Sequence, residues 1–160
     1  MTATPFTASN RFIDPGSSRV YWVASIAVLA SPTRTELDAG IDVSGEMAEI
    51  GGFALQSETN STQAFSSIFA TEKPGSLRTT GTPQMVMYAD QSGNDIRTLW
   101  SRGDTGNIVL LHGGDHPGYL MDVWPVQIAA VSKTFSTSDA AFVVIQFTIP
   151  AAPVTDVEVP

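Results

Sequence analysis

The sequence has no cysteine. That excludes disulfides, zinc ribbons and thiol nucleophiles, and it leaves the redox compartment open, because a chain without thiols fits either side of a membrane. Cations are scarce: Lys and Arg number 8 against 16 Asp and Glu, a formal net charge of -8. Affinity for duplex DNA comes largely from Lys and Arg neutralising phosphates, so this balance argues against a nucleic-acid binder. Long apolar runs are missing too. The longest, "VYWVASIAVLA", is too short to span a bilayer and is interrupted by Ser25. The start, "MTATPFTASNRFIDPGSSR", lacks the apolar segment of a secretory leader, so the expectation is a soluble protein made in the cytoplasm. Walker A, G-x-G-x-x-G and G-x-S-x-G patterns do not occur.

What is present describes a folded domain. The chain has 160 residues, 42% of them hydrophobic and only 15% charged, a composition far from the disordered regime. Trp22, Trp100, Trp124, Phe53, Phe142 and Phe147 are spread along it as a distributed core requires. Residues 1–19, punctuated by Pro, Ser, Thr and Gly, read as an arm. From Val20 to Leu29 β-branched and aromatic residues dominate, which predicts a strand buried on both faces. In "SPTRTELDAG", Thr33 and Glu36 have capping-box spacing and Gly40 is placed to close the turn in the left-handed conformation. Glu46 to Glu58 is strand-like, with the Gly51-Gly52 pair predicting a bulge or a close backbone approach.

Residues 59–76 are rich in Ser and Thr but carry Phe65, Ile68 and Phe69. A hydrophilic excursion of that length with an aromatic patch predicts a protruding hairpin or loop that docks on something else. Further on, "PQMVMYAD" is a strand. Asn94 or Asp95 can cap an amphipathic helix in which Ile96, Leu99 and Trp100 share a face. The last third reads as strands "NIVLL", "YLMDVW", "VQIAAVSKTF" and "AAFVVIQFTI", and residues 150–160 as an extended, proline-punctuated tail. The fold class expected is therefore mainly β: an antiparallel β-sandwich or barrel over residues 20–149 with one flanking α-helix.

The chemistry is sparse. Both histidines, His112 and His116, lie in "LLHGGDHPGYLMD" around Asp115. Gly113, Gly114, Pro117 and Gly118 rule out the helix on which two histidines four apart would share a metal, so the segment reads as a β-hairpin loop in which Asp115 closes an Asx-type turn. No catalytic residue, cofactor site or metal site is assigned. The acidic run Glu36, Asp38, Asp42, Glu46, Glu49, Glu58 and Glu72 is most simply a solvated face.

In the runs "RVYWVASIAVLASPTRTELDAGIDVSGEMAEIGGF", "VMYADQSGNDIRTLWSRGDTGNIVLLHGGDHPGYLMDVWPVQIAAVSKTFS" and "VVIQFTIPAAPVTDVEVP", the chain resembles the major tail tube proteins of long, non-contractile-tailed (siphovirus-type) phages, in the form found among phages of actinobacteria. The resemblance covers nearly the whole chain and is one of pattern and order rather than of a chemical signature. It implies a structural virion protein with a tail-tube-like β-sandwich and flanking helix. Such a protein forms hexameric rings that stack around a tape-measure protein, meets tail tip and tail terminator proteins, and passes DNA through its lumen without holding it. The implied location is the phage tail, after assembly in the host cytoplasm. On this reading Glu46, Glu49 and Glu58 are the candidates for an acidic lumen. Phe6 and Phe12 in the arm, with Phe65, Ile68 and Phe69 in the loop, are the candidates for contacts between subunits. The alternatives are a tail terminator or connector ring, a monomeric β-sandwich module that binds glycans, and, more remotely, a hydrolase using the histidine loop.

Overall fold

A computed structural model describes residues 9, 11–79, 81–135 and 137–160. Among them run ten β-strands: β1 (Arg19–Val23), β2 (Ile41–Asp42), β3 (Met47–Gly51), β4 (Leu55–Thr62), β5 (Thr71–Thr79), β6 (Gln84–Tyr88), β7 (Thr105–Leu111), β8 (Leu120–Thr134), β9 (Phe142–Thr148) and β10 (Val154–Glu158). One short α-helix, α1 (Arg34–Asp38), joins them, with 3-10 turns at Ser44–Glu46 and Ile96–Thr98. The sheet order is β2-β1-β7-β8-β9-β6-β3, with β10 also on β8, and all pairings are antiparallel. β4 and β5 form a separate two-stranded hairpin. The expected mainly antiparallel β fold is what the chain adopts.

The 15-residue strand β8 organises the molecule. The sequence reading breaks this segment at Pro125 into two strands, but the structure runs straight through. Along one edge β8 pairs with β10 as far as Val123 and meets β9 only from Gln127, so Pro125 lies in the gap, where no ladder donor is missed. Its other edge pairs with β7 from Met121 to Gln127. A register shift between Ile128 and Ala130 then bends the strand. β8 therefore belongs to two half-sheets: β2-β1-β7-β8-β10, built on its first part, and β8-β9-β6-β3, built on its second.

The two halves close over one core. Val20 and Trp22 of β1, Ile108 of β7, Trp124, Val126 and Ile128 of β8, Val143, Ile145 and Phe147 of β9, and Met85 and Met87 of β6 are all buried there, with Ile96 and Trp100. Aromatic contacts knit it: Trp22 to Trp100 at 5.0 Å, Trp100 to Phe147 at 5.8 Å and Phe53 to Trp124 at 5.5 Å between ring centroids. A second cluster occupies the other face of the first half-sheet, where Val23, Val109, Leu111, Met121 and Val123 are covered by Leu37 of α1 and by Val159.

The capping box forms as its spacing predicts, with Thr33 capping the helix and Glu36 returning a carboxylate to the cap amide. Glu36 also accepts from the Ala27 amide, and these backbone bonds hold its carboxyl below the usual carboxylate range, that from Ala27 most strongly. Gly40 serves another purpose than the expected one. Its φ is not positive; instead a Cβ there would lie 2.9 Å from both Leu37 O and Val23 Cγ2, so glycine permits the chain to close against β1. The helix expected at 95–100 is a 3-10 turn. Asp95 caps it through the Arg97 amide, and Ile96 and Trp100 are buried, but one turn is too short to turn Leu99 inward as well. The tail is extended but not free: β10 completes the first half-sheet and Val159 is buried.

Candidate assembly surfaces

Among the described residues, no layer covers one face of the second half-sheet. Register fixes which residues share that face: Ala130, Ser132 and Thr134 of β8, Phe142, Val144 and Gln146 of β9, Gln84, Val86 and Tyr88 of β6, and Glu49 and Gly51 of β3. Val86, Val144 and Phe142 belong to neither core cluster. Tyr88 and Phe142 stack at one end with centroids 5.4 Å apart, and Gln84 and Gln146 mark the other. Glu49 carries the single formal charge at these positions.

This half-sheet has two unpaired edges among the described residues. One is β3, which pairs only with β6. The other is β8 beyond Ile128, whose amide and carbonyl make the last bonds on that side, to Asp104 O and from the Gly103 amide. Such edges are templates for another strand.

The hairpin β4-β5 leaves from the end of this half-sheet where β3 stops and β6 begins. Gly52 makes that departure possible: at φ +78 its missing Cβ would fall 2.4 Å from Thr82 O. The hairpin or loop expected over 59–76 is a hairpin, with its tip at residues 63–70. Phe65, Ile68 and Phe69 on that tip are almost wholly exposed, and so is Phe12 to a lesser degree. Phe6 lies outside the described residues.

The three glutamates read from one strand-like run lie on three elements. Glu46 ends a 3-10 turn, Glu49 is on β3 and Glu58 is on β4, where it pairs with Arg78. The sequence treats 46–58 as one strand, but Gly51 and Gly52 end it, and the hairpin begins there.

The histidine loop joins β7 to β8, as expected of a hairpin connection, and does more than turn. Asp115 receives Arg34 Nη1 at 2.5 Å and Nη2 at 2.7 Å, and the Tyr21 hydroxyl at 2.9 Å. It fastens the loop to α1 and β1 rather than closing an Asx turn. The Arg34 bonds, more than any other influence, hold its carboxyl below the usual range, while burial, with help from Asp115, pushes the Tyr21 phenol up to about 12. His112 faces Asp122 at 3.1 Å and His116 packs on Tyr119. Among the described residues no three of His, Cys, Asp and Glu gather as a metal site, and no helix is long and apolar enough to cross a membrane. Nothing in the sequence signalled the partnership of Asp115 with Arg34, 81 residues away.

Comparison with known proteins agrees with this picture. The chain is similar over 98% of its length, and over 98% of the other chain, to a component of the anti-feeding prophage baseplate, a structure described as 6-fold symmetrised, with TM-score 0.59 at 8% identity. At that identity the likeness is one of fold. No curated protein matches. The profile of the family described as phage tail tube protein matches residues 7–160, nearly the whole sequence. The chain belongs to the phage tail tube protein family, and is a structural component of the phage tail rather than an enzyme.

Proposed function

We propose that the protein assembles into six-membered rings that stack into the tail tube of a siphovirus-type phage, and that DNA passes through the lumen during ejection. The observation that carries this reading is the half-sheet β8-β9-β6-β3, which among the described residues has one face uncovered and both edges unpaired. Its four strands alternate in direction, so its two edge strands run oppositely. Rotating a copy about an axis along the strands brings β3 of one subunit antiparallel to the second part of β8 in the next. Repetition closes a barrel with no free edge. The sixfold symmetry of the baseplate structure that shares this fold supports six copies.

In such a barrel the core-facing side is already filled, so the uncovered face lines the lumen. DNA would then meet Gln, Ser, Thr, Ala and Val side chains, the Tyr88-Phe142 pair at one end and a ring of Glu49 carboxylates, with no Lys or Arg among the face positions. A lining without cations does not hold DNA, whereas about 6 to 10 phosphate contacts give a strong, salt-dependent grip. Screening confines repulsion to about 8 Å at physiological ionic strength, so only carboxylates that face the lumen act, and of the three candidates Glu49 is the one that shares the register of this face. Tape-measure, tail tip and terminator proteins are the expected partners.

Negative-stain electron microscopy of the purified protein over a concentration series tests this directly. Hollow tubes are the expected result. Likeness to a baseplate chain favours one other arrangement, a terminator or connector ring, which would give single rings that never lengthen. In tails, Glu49→Lys should slow DNA ejection without preventing tube formation; unchanged ejection would remove Glu49 from the lumen.

A further inference from the structure

The two free edges of the second half-sheet carry opposite charge. Beyond Ile128, residues 129–134 of β8 include one charged side chain, Lys133, which is exposed and in no ion pair among the described residues. The other edge is β3 with the turn before it. Residues 44–51 there hold Glu46 and Glu49 and no Lys or Arg. Both glutamates are exposed and, among the described residues, in no ion pair. Register brings the two sets toward the same end of the sheet: one row runs Lys133, Val143, Met87, Met47, and Glu46 is next to Met47 in the chain.

We infer that these charges decide which edges join: Lys133 of one copy is drawn to Glu46 and Glu49 of the next, and every other pairing of the edges is repelled. The inference rests on the ring reading above and names the residues that make its joint selective. A free strand edge is a template for any other free edge. Two wrong joints therefore compete with the right one, β3 on β3 and β8 on β8. Each relates two copies by a two-fold axis and ends growth at a dimer. The first brings carboxylates to carboxylates and the second brings ammonium to ammonium. Like charges across a strand pair destabilise it, whereas opposite charges stabilise it. Only β3 on β8 joins opposite charges, and that joint is the one that repeats around a ring. Barrel closure staggers strands along one another, and because Glu46 and Glu49 lie on either side of Met47, the attraction survives a stagger in either direction.

Charge reversal in the full chain tests this, with salt as the control. Lys133→Glu gives a copy acidic on both edges, and the double variant Glu46→Lys/Glu49→Lys a copy basic on both. Glu49→Lys alone retains Glu46 and so still forms tubes. All three positions are exposed, so melting temperatures should equal the parent's. At about 10 mM salt, where charges act over about 30 Å, each variant alone should need at least about fivefold more protein than the parent to form rings or tubes. At about 1 M salt the range is about 3 Å and the difference should disappear. Mixing the two variants should restore assembly at low salt, because each acidic edge then finds a basic one. Subunits must then alternate around the ring, which the even number proposed above permits. Assemblies pelleted from unequal mixtures should therefore contain the two variants in equal amounts by mass spectrometry. Assembly of either variant alone at the parent's concentration, a mixture no better than its parts, or uptake in the mixing ratio would overturn the charge assignment, while parental tubes leave the ring reading standing. If the parent forms neither rings nor tubes at any concentration, the ring reading fails and the charge assignment with it.

Discussion

The two halves of the sheet share a strand and a core, yet are finished differently. In the first half both faces are covered: the outward residues Val109 and Leu111 of β7 and Met121 and Val123 of β8 are buried beneath Leu37 and Val159. In the second half the outward positions of β9 are Phe142, Val144, Gln146 and Thr148, none of them fully buried. The first half needs the helix and the terminal strand for its own stability. The second is stable on the strength of one face, which leaves the other face and two edges available to neighbours. A subunit that must polymerise can be expected to divide its surface this way, because a face buried within the chain cannot also be an interface.

The largest effect should come from uncovering the first half. Leu37→Ala removes the one buried side chain of α1, and such truncations cost about 2–5 kcal/mol. Chemical denaturation of the unassembled protein measures this; a loss below about 1 kcal/mol would mean that the helix is not the cover it resembles. A smaller loss should follow Asp115→Asn, which unfastens the histidine loop from that helix. Hydrogen bonds to charged groups are worth about 1.5–3 kcal/mol, but the Arg34 side chain is 41% exposed, so solvent screening brings the expectation to about 1 kcal/mol. The sign of its pH dependence follows from the lowered folded-state value. Such a carboxylate stabilises the fold above its unfolded value of about 3.9, and that contribution disappears as pH falls through the folded value. The gap between parent and variant should therefore be widest near neutrality and narrow below about pH 4. A gap independent of pH would show that packing, not the ion pair, holds the loop.

Most of what was legible in the sequence was local. Period-two apolar patterns marked β1, β6, β7 and β9, and Thr33 with Glu36 announced the helix start, because these signals depend on neighbours a few residues apart. Gly52 was visible as a close approach for the same reason. The continuity of β8 through Pro125 was hidden, since a proline is harmless only where the flanking strand has a gap, and that gap is made by β9 and β10, both later in the chain. The pairing of Asp115 with Arg34 and Tyr21 was equally out of reach, because the three residues come from distant parts of the chain. The exposed tip was the exception: Phe65, Ile68 and Phe69 stood out against a Ser/Thr-rich background with no periodicity that could bury them.

The smallest effect is also the sharpest test of the difference between the halves, because it compares two consecutive residues of one strand. Val143 faces the core and is fully buried, while Val144 lies between Val86 and Ser132 on the uncovered face. Threonine keeps valine's shape and β-branching, so Val→Thr leaves strand preference nearly untouched and changes one methyl group to a hydroxyl. At Val143 that hydroxyl enters the apolar core, and an unsatisfied group there costs about 1–3 kcal/mol. At Val144 water reaches it, and the change should stay within about 0.5 kcal/mol. Equal losses at both positions would mean that the outer face is covered within a single chain, which would remove the surface on which the barrel depends. A loss confined to Val143, with Val144→Thr forming tubes as readily as the parent, fits a face that looks onto a water-filled lumen. Impaired assembly by Val144→Thr, without loss of stability, would instead place that face against another protein.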